Sequence, residues 1–155
     1  MKEKDIKDRT EQAVEHFKNG YNCAQSVVMA YADRYPVDIE TLKVLSAPFG
    51  GGMGRLREVC GAVTGMFLIL GMEHPANDPN EKENKNANYT AVQRTALNFK
   101  NKMGSYVCAD LLKIGRVPQY PIPDDRNSDY YAKRPCAYCV AVAAEILGKE
   151  LENVK

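Results

Sequence analysis

The sequence predicts an all-α protein, a compact single-domain bundle of about six to seven helices over residues 1–155. Apolar residues recur at helical spacing, Gly and Pro stand where these segments would end, and no alternating run of strand length occurs. With 45% hydrophobic residues, a chain of this length buries roughly two thirds of its unfolded surface in one core. We therefore expect no second domain.

Three helices are predicted in the first third of the chain. The segment Asp5–Asn19 is amphipathic and ends before Gly20, a residue typical of helix C-termini. Asn22–Tyr35 is more apolar and stops before Pro36, and Ile39–Ser46 forms a third, shorter segment. The second helix should be the most deeply buried of the three.

An irregular loop and an apolar helix are predicted in the middle of the chain. Four glycines within Gly50–Gly54 disfavour regular structure, so a flexible or tightly turned loop is expected there. Arg55–Leu70 should form the central helix, with Gly61, Ala62 and Gly65 as a small face that another backbone can approach closely.

Three further helices are predicted after the centre. Glu81–Lys102 has the pattern of a long, polar, partly exposed helix, and Tyr106–Lys113 that of a short one. Gly115–Asn127 contains three prolines and no periodicity, which predicts a loop packed over the surface. Pro135–Glu152 should form the last helix.

Composition and charge exclude several classes of function. Lys and Arg number 21 against 20 Asp and Glu, so no basic field for nucleic acid is expected. The longest apolar run, Val59–Met72, is too short to cross a bilayer. Met1–Thr10 resembles no targeting peptide, which favours the cytoplasm. Neither His16 nor His74 has partners at a spacing typical of a hydrolase triad.

The cysteines are the residues most able to carry chemistry. Four of the five lie at or near predicted helix starts, where the helix dipole favours thiolates: Cys23, Cys60, Cys108 and Cys136. An odd number of cysteines without a secretory signal argues against a disulfide framework. Metal or redox use is therefore favoured, and the alternative is that each thiol is simply a small buried apolar group.

Several segments carry a resemblance to a known family: Gly20–Ser26, Phe49–Gly54, Cys60–Gly65, Cys108–Leu112 and the region after Cys136. Together they resemble the redox-active protein family named C_GCAxxG_C_C. The resemblance implies that Cys23, Cys60, Cys108 and Cys136 are the four family cysteines and that Cys139 is an extra one. It also implies redox activity and suggests a bound group such as an iron–sulfur cluster.

Four thiols can take part in three kinds of chemistry. Four thiolates can provide all the protein ligands of an iron–sulfur cluster when they converge in a helical core. Structural zinc also accepts four thiolates but usually takes them as two close pairs, and only Cys136 and Cys139 are so spaced, which makes zinc the weaker prediction. The third is dithiol chemistry without a metal, in which one thiolate attacks a disulfide or a peroxide and a second thiol resolves the product.

The spacing of Cys136 and Cys139 has two interpretations. A dithiol at a helix N-terminus is the arrangement of thioredoxin-like sites, but no strand precedes it here as that fold would require. Either the two form a catalytic pair, or Cys136 is the functional thiol and Cys139 a core residue and secondary ligand candidate.

Four glycines are expected to let the chain pass close to the thiol site: Gly52, Gly54, Gly61 and Gly65. The alternative for the glycine loop is a phosphate cradle, with Arg55 and Arg57 adding charge. That loop lacks the Lys-Ser or Lys-Thr ending of a P-loop.

The sequence thus favours a redox-active protein that uses a four-cysteine centre for electron or thiol transfer, as an oxidoreductase or electron carrier. Its partner would be a redox protein or a small thiol, and self-association is left open. One alternative is a soft-metal-binding protein for sensing or delivery. The other is a structural interaction domain with inert buried cysteines.

Overall fold

A computed structural model describes residues 1–115 and 120–153. The helices are α1 (Glu3–Lys18), α2 (Cys23–Tyr31), α3 (Ile39–Ser46), α4 (Gly50–Met53), α5 (Gly61–Glu73), α6 (Lys82–Met103), α7 (Cys108–Leu112), α8 (Ser128–Lys133) and α9 (Cys136–Asn153). Short 3-10 turns follow α2 and α3, and α4 is a tight turn rather than a regular helix, because Gly51 and Gly52 within it have left-handed φ of 68° and 67°. The predicted irregular glycine loop is therefore confirmed. Within the described ranges the only β-type pairing is one isolated bridge, between Val59 and Val107. The predicted all-α class is confirmed.

The core lies where α2, α5 and α9 meet. Helix α5 is buried on nearly every side and packs on α2, while α9 packs against α1, α2, α5 and α6. The Tyr31 hydroxyl of α2 donates a 2.6 Å hydrogen bond to the Ala144 carbonyl of α9. These contacts confirm that the second helix and the central helix are the buried ones.

The main boundary error concerns the start of the central helix. We predicted a helix from Arg55, but α5 begins at Gly61. Arg55 and Arg57 have φ of 68° and 61°, in the left-handed region that a right-handed helix excludes. This segment instead forms a backbone hydrogen bond with the first residue of α7: the Cys108 N–H donates to the Glu58 carbonyl at 2.6 Å.

Two other segments differ from the predicted pattern. Helix α8 was not predicted, because its six residues lack an apolar periodicity; the Asn127 side chain caps it by accepting from the Tyr130 N–H. Positions 116–119 of the predicted Gly115–Asn127 loop lie outside the described residues, and the rest of that loop is irregular, as expected. No helix in the described ranges combines the length and apolarity that a membrane span needs.

The contact between α2 and α5 depends on glycine, and we predict that Gly65→Ala destabilises the protein. A Cβ on Gly65 would lie 2.9 Å from the Ala24 carbonyl oxygen, a backbone atom that cannot yield easily. Overpacking of this kind costs about 1–3 kcal/mol in the free energy of unfolding. Thermal or urea denaturation followed by circular dichroism measures the loss.

The matched control is Gly71→Ala in the same helix. A Cβ on Gly71 would meet no atom within 4 Å. Since alanine restricts the unfolded chain more than glycine does, this variant should be neutral or more stable by up to about 1 kcal/mol. Equal midpoints for the two variants would show that the α2–α5 contact does not require glycine.

Candidate functional site

All five cysteines line one cavity of about 350 Å³, which we call the thiol cavity. Its other walls come from the glycine loop, from the prolines of the 120–123 segment and from the residues just before α9. The four predicted site cysteines are thus brought together, and Cys139 joins them.

Four of the thiols lie at the N-terminal ends of helices. Cys23 is the first residue of α2, whose Asn22 side chain accepts a 2.9 Å hydrogen bond from the Gln25 N–H. Cys108 and Cys136 are the first residues of α7 and α9, and Cys60 is the residue that precedes α5. The predicted association of these cysteines with helix N-termini is therefore correct.

Cys23 and Cys136 form an outer thiol pair. Both side chains are only partly buried, and the two thiols lie close enough for each to shift the pKa of the other. The Cys23 thiol lowers the pKa of Cys136 to about 7, against the opposing effect of burial and with help from Arg134 and Arg126. Cys136 and burial raise the pKa of Cys23 well above its usual value. The first proton that the pair loses as the pH rises therefore comes from Cys136.

Cys60 and Cys139 form an inner pair. They are 5% and 2% exposed, and each thiol shifts the pKa of the other. Cys139 lowers the pKa of Cys60, the backbone of Ala62 and Val63 lowers it further, and burial opposes both effects. Cys60 and burial raise the pKa of Cys139 far above its normal range. Cys139 thus lies beside Cys60 in the buried part of the cavity.

Cys108 lies apart from both pairs and contacts an arginine. The Arg57 guanidinium, only 2% exposed, donates to the Cys108 sulfur at 3.6 Å. Burial raises the pKa of Cys108, and Arg57 partly offsets that effect. The five cysteines thus form two pairs and a fifth thiol that accepts a hydrogen bond from Arg57.

The glycines have different roles. A Cβ on Gly52, at φ +67°, would lie 2.6 Å from the Cys108 Cβ, and one on Gly61 would lie 3.2 Å from the Cys23 Cβ. Gly54 also lines the cavity but with more room, since its Cβ would meet only the Pro48 carbonyl at 3.8 Å. Gly65 faces Ala24 in the helix contact behind the cavity. Close approach to the thiols thus depends on Gly52 and Gly61.

The cavity wall contains charged residues that sequence patterns did not indicate. Arg126 donates to the Phe17 and Tyr21 carbonyls at 2.9 and 3.1 Å and stacks over aromatic rings. Asp124 bridges Arg55, at 3.0 Å, and Arg134. Arg55 is the charge expected beside the glycine loop, and Arg134 stands two residues before Cys136 in the sequence. Arg126 and Asp124 carried no sequence signal, because they lie in an irregular segment and reach the site through tertiary contacts.

The thiols suit a soft metal or an iron–sulfur cluster by their donor chemistry. Among the described residues, however, no group of three or more His, Cys, Asp or Glu side chains is placed so as to hold one metal ion. The arrangement into pairs therefore matches dithiol chemistry better than a four-ligand centre.

Comparison with known proteins gives one match. The model of a family described as "Putative redox-active protein (C_GCAxxG_C_C)" matches residues 21–150. No curated protein matches the chain. No solved structure matches it either.

We predict that Cys136 is the fastest thiol to alkylate in reduced, metal-free protein. Because the thiolate is the reactive form, its rate with iodoacetamide should rise with pH through a midpoint near 7, the pKa of Cys136. Peptide mass spectrometry across pH gives the midpoint for each cysteine. Labelling of every cysteine only after unfolding would contradict this prediction.

Two variants test the cause of that low midpoint. Cys23→Ala removes the neighbouring thiol that lowers the Cys136 pKa most and should move the Cys136 midpoint to higher pH. Cys108→Ala is the matched control, because it also removes a cavity thiol but not one that lowers the Cys136 pKa. A midpoint that is the same in both variants would assign the low pKa to the arginines.

Proposed function

Because the chain belongs to the C_GCAxxG_C_C family, we propose that it is a thiol–disulfide oxidoreductase whose reacting pair is Cys23 and Cys136. The observation that supports this function best is that two partly exposed thiols at one open cavity lie close enough to shift each other's pKa. Thiols that are already neighbours can close a disulfide of about 2.05 Å with small side-chain movements.

The residues suggest a division of roles in the reaction. The Cys136 thiolate attacks one sulfur of a disulfide RSSR, forming a mixed disulfide and releasing RS⁻. Cys23 loses its proton to that thiolate and attacks the Cys136 sulfur, which releases the second RS⁻. The pair is oxidised to a disulfide and RSSR gains two electrons. The Cys23 proton ends on one RSH, and the second RS⁻ takes up a proton from solvent, equivalent to the one that Cys136 released on ionising. The reverse sequence reduces the protein.

The inner pair would hold a second pair of electrons. Cys60 and Cys139 likewise combine one thiol with a lowered pKa and one with a raised pKa, but their burial keeps a bulk reagent away from the sulfurs. Exchange with the outer pair would go through Cys136, whose charge acts on Cys60. The protein would then carry up to two disulfides.

The order of oxidation tests this proposal. With one equivalent of the thiol oxidant diamide, peptide mapping should show mainly the Cys23–Cys136 disulfide, and a second equivalent should add Cys60–Cys139. Cys108→Ser should change neither product, because Cys108 belongs to no pair. A first disulfide between Cys136 and Cys139 would overturn the assignment of the reacting pair.

An iron–sulfur cluster remains the second candidate, because all five thiols face one cavity. Bound to these thiols, a cluster would supply one-electron transfer. We predict that anaerobically purified protein is colourless and holds no stoichiometric iron. Visible charge-transfer absorbance together with bound iron would instead favour the cluster. Bound zinc without colour would favour the soft-metal alternative, and unreactive thiols the interaction domain.

A further inference from the structure

We propose that the thiol cavity selects small disulfides that carry negative charge, such as carboxylate-bearing ones, over neutral and cationic disulfides. This inference rests on the proposed function and names the substrate class for the same site.

The charge of the cavity wall is the first observation. The described residues that line it include four guanidinium groups, those of Arg55, Arg57, Arg126 and Arg134, and a single carboxylate, that of Asp124. Their formal charge is therefore +3, while the whole chain carries only +1. The cavity wall is therefore more positive than the chain as a whole.

The second observation is that the arginines are held in place. Arg126 bonds two backbone carbonyls and lies 4.3 Å from the centre of the Phe17 ring and 5.0 Å from that of Tyr130. Arg134 lies 4.7 Å from the Tyr130 ring and bonds Asp124. A fixed cation beside low-dielectric walls focuses its field into the cavity, so an anion entering it meets charges that need no rearrangement.

Size and placement restrict the ligand further. A cavity of about 350 Å³ is at the small end of ligand pockets, which span about 300–1,000 Å³. Arg126 and Arg134 both act on the Cys136 sulfur, so a carboxylate bound by them would lie close to the attacked disulfide. The same charges would stabilise the thiolate that leaves after each attack.

The test compares three disulfides of similar length and different charge. These are 3,3′-dithiodipropionate, 2-hydroxyethyl disulfide and cystamine, which carry two negative charges, none and two positive charges. Each rate of oxidation of the reduced protein is divided by the rate for the same disulfide with free 2-mercaptoethanol, which removes intrinsic reactivity. At low ionic strength we expect the normalised rate of the dianion to exceed that of the dication at least about tenfold, and salt to reduce the ratio.

Two charge variants locate the effect. Arg134→Gln should lower the ratio of the dianion rate to the dication rate. Any change that this variant makes to the Cys136 pKa affects the rates of all three disulfides alike, because the nucleophile is the same, and therefore cancels in the ratio. Lys133→Gln is the matched control: it removes one positive charge from the neighbouring residue, whose exposed side chain pairs with Asp129 outside the cavity. It should leave the ratio unchanged. If Arg134→Gln does not fold, Arg55→Gln makes the same test from the opposite side of Asp124.

The outcomes separate this inference from the proposed function. Equal normalised rates for the three disulfides would overturn the anion selectivity but leave the oxidoreductase intact. An equal loss of selectivity in Arg134→Gln and Lys133→Gln would also overturn it, since net charge rather than the cavity would then be responsible. No reaction with any disulfide would overturn the proposed function and this inference with it.

Discussion

The close packing of α5 on α2 is the contact on which the thiol cavity depends. Gly61 and Gly65 let the two backbones approach closely: a Cβ on Gly65 would lie 2.9 Å from the Ala24 carbonyl oxygen of α2, and a Cβ on Gly61 would lie 3.2 Å from the Ala24 nitrogen. At that spacing the N-terminal ends of both helices lie side by side, and their first thiols, Cys23 and Cys60, face the same cavity. Larger side chains would hold the helices apart at typical distances of 8–10 Å. The glycines therefore determine the site through helix packing, and only Gly61 also borders it.

Helix α9 then completes both thiol pairs at once. Cys136 and Cys139 are three residues apart and so lie on one face of the helix. One of them meets α2 and the other meets α5, because α9 packs against both helices. A Cys-x-x-Cys sequence usually indicates a disulfide within the motif, but here the thiol nearest in effect to each cysteine belongs to another part of the chain, Cys23 for Cys136 and Cys60 for Cys139. The motif thus contributes one thiol to each pair.

The sequence predicted the helical class, the buried central helix and the gathering of four cysteines, because these depend on local periodicity and on helix-start residues. It did not predict the inner pair. Cys139 has the same apolar surroundings as a core residue, and only the packing of α9 on α5 reveals its partner. Arg126 was missed for a similar reason: it lies in an irregular segment, and its carbonyl partners are more than a hundred residues away in sequence. Contacts of this kind leave no periodic pattern.

The charge arrangement connects the redox state of the cavity to ligand binding. In the reduced protein the Cys136 thiolate opposes the positive charge of Arg126 and Arg134. In the proposed reaction the Cys23–Cys136 disulfide removes that negative charge, so the wall becomes more positive as the thiols are oxidised. An anion should then bind the oxidised form more tightly than the reduced form. Because such coupling is reciprocal, a bound anion would stabilise the disulfide and make the outer pair a stronger reductant.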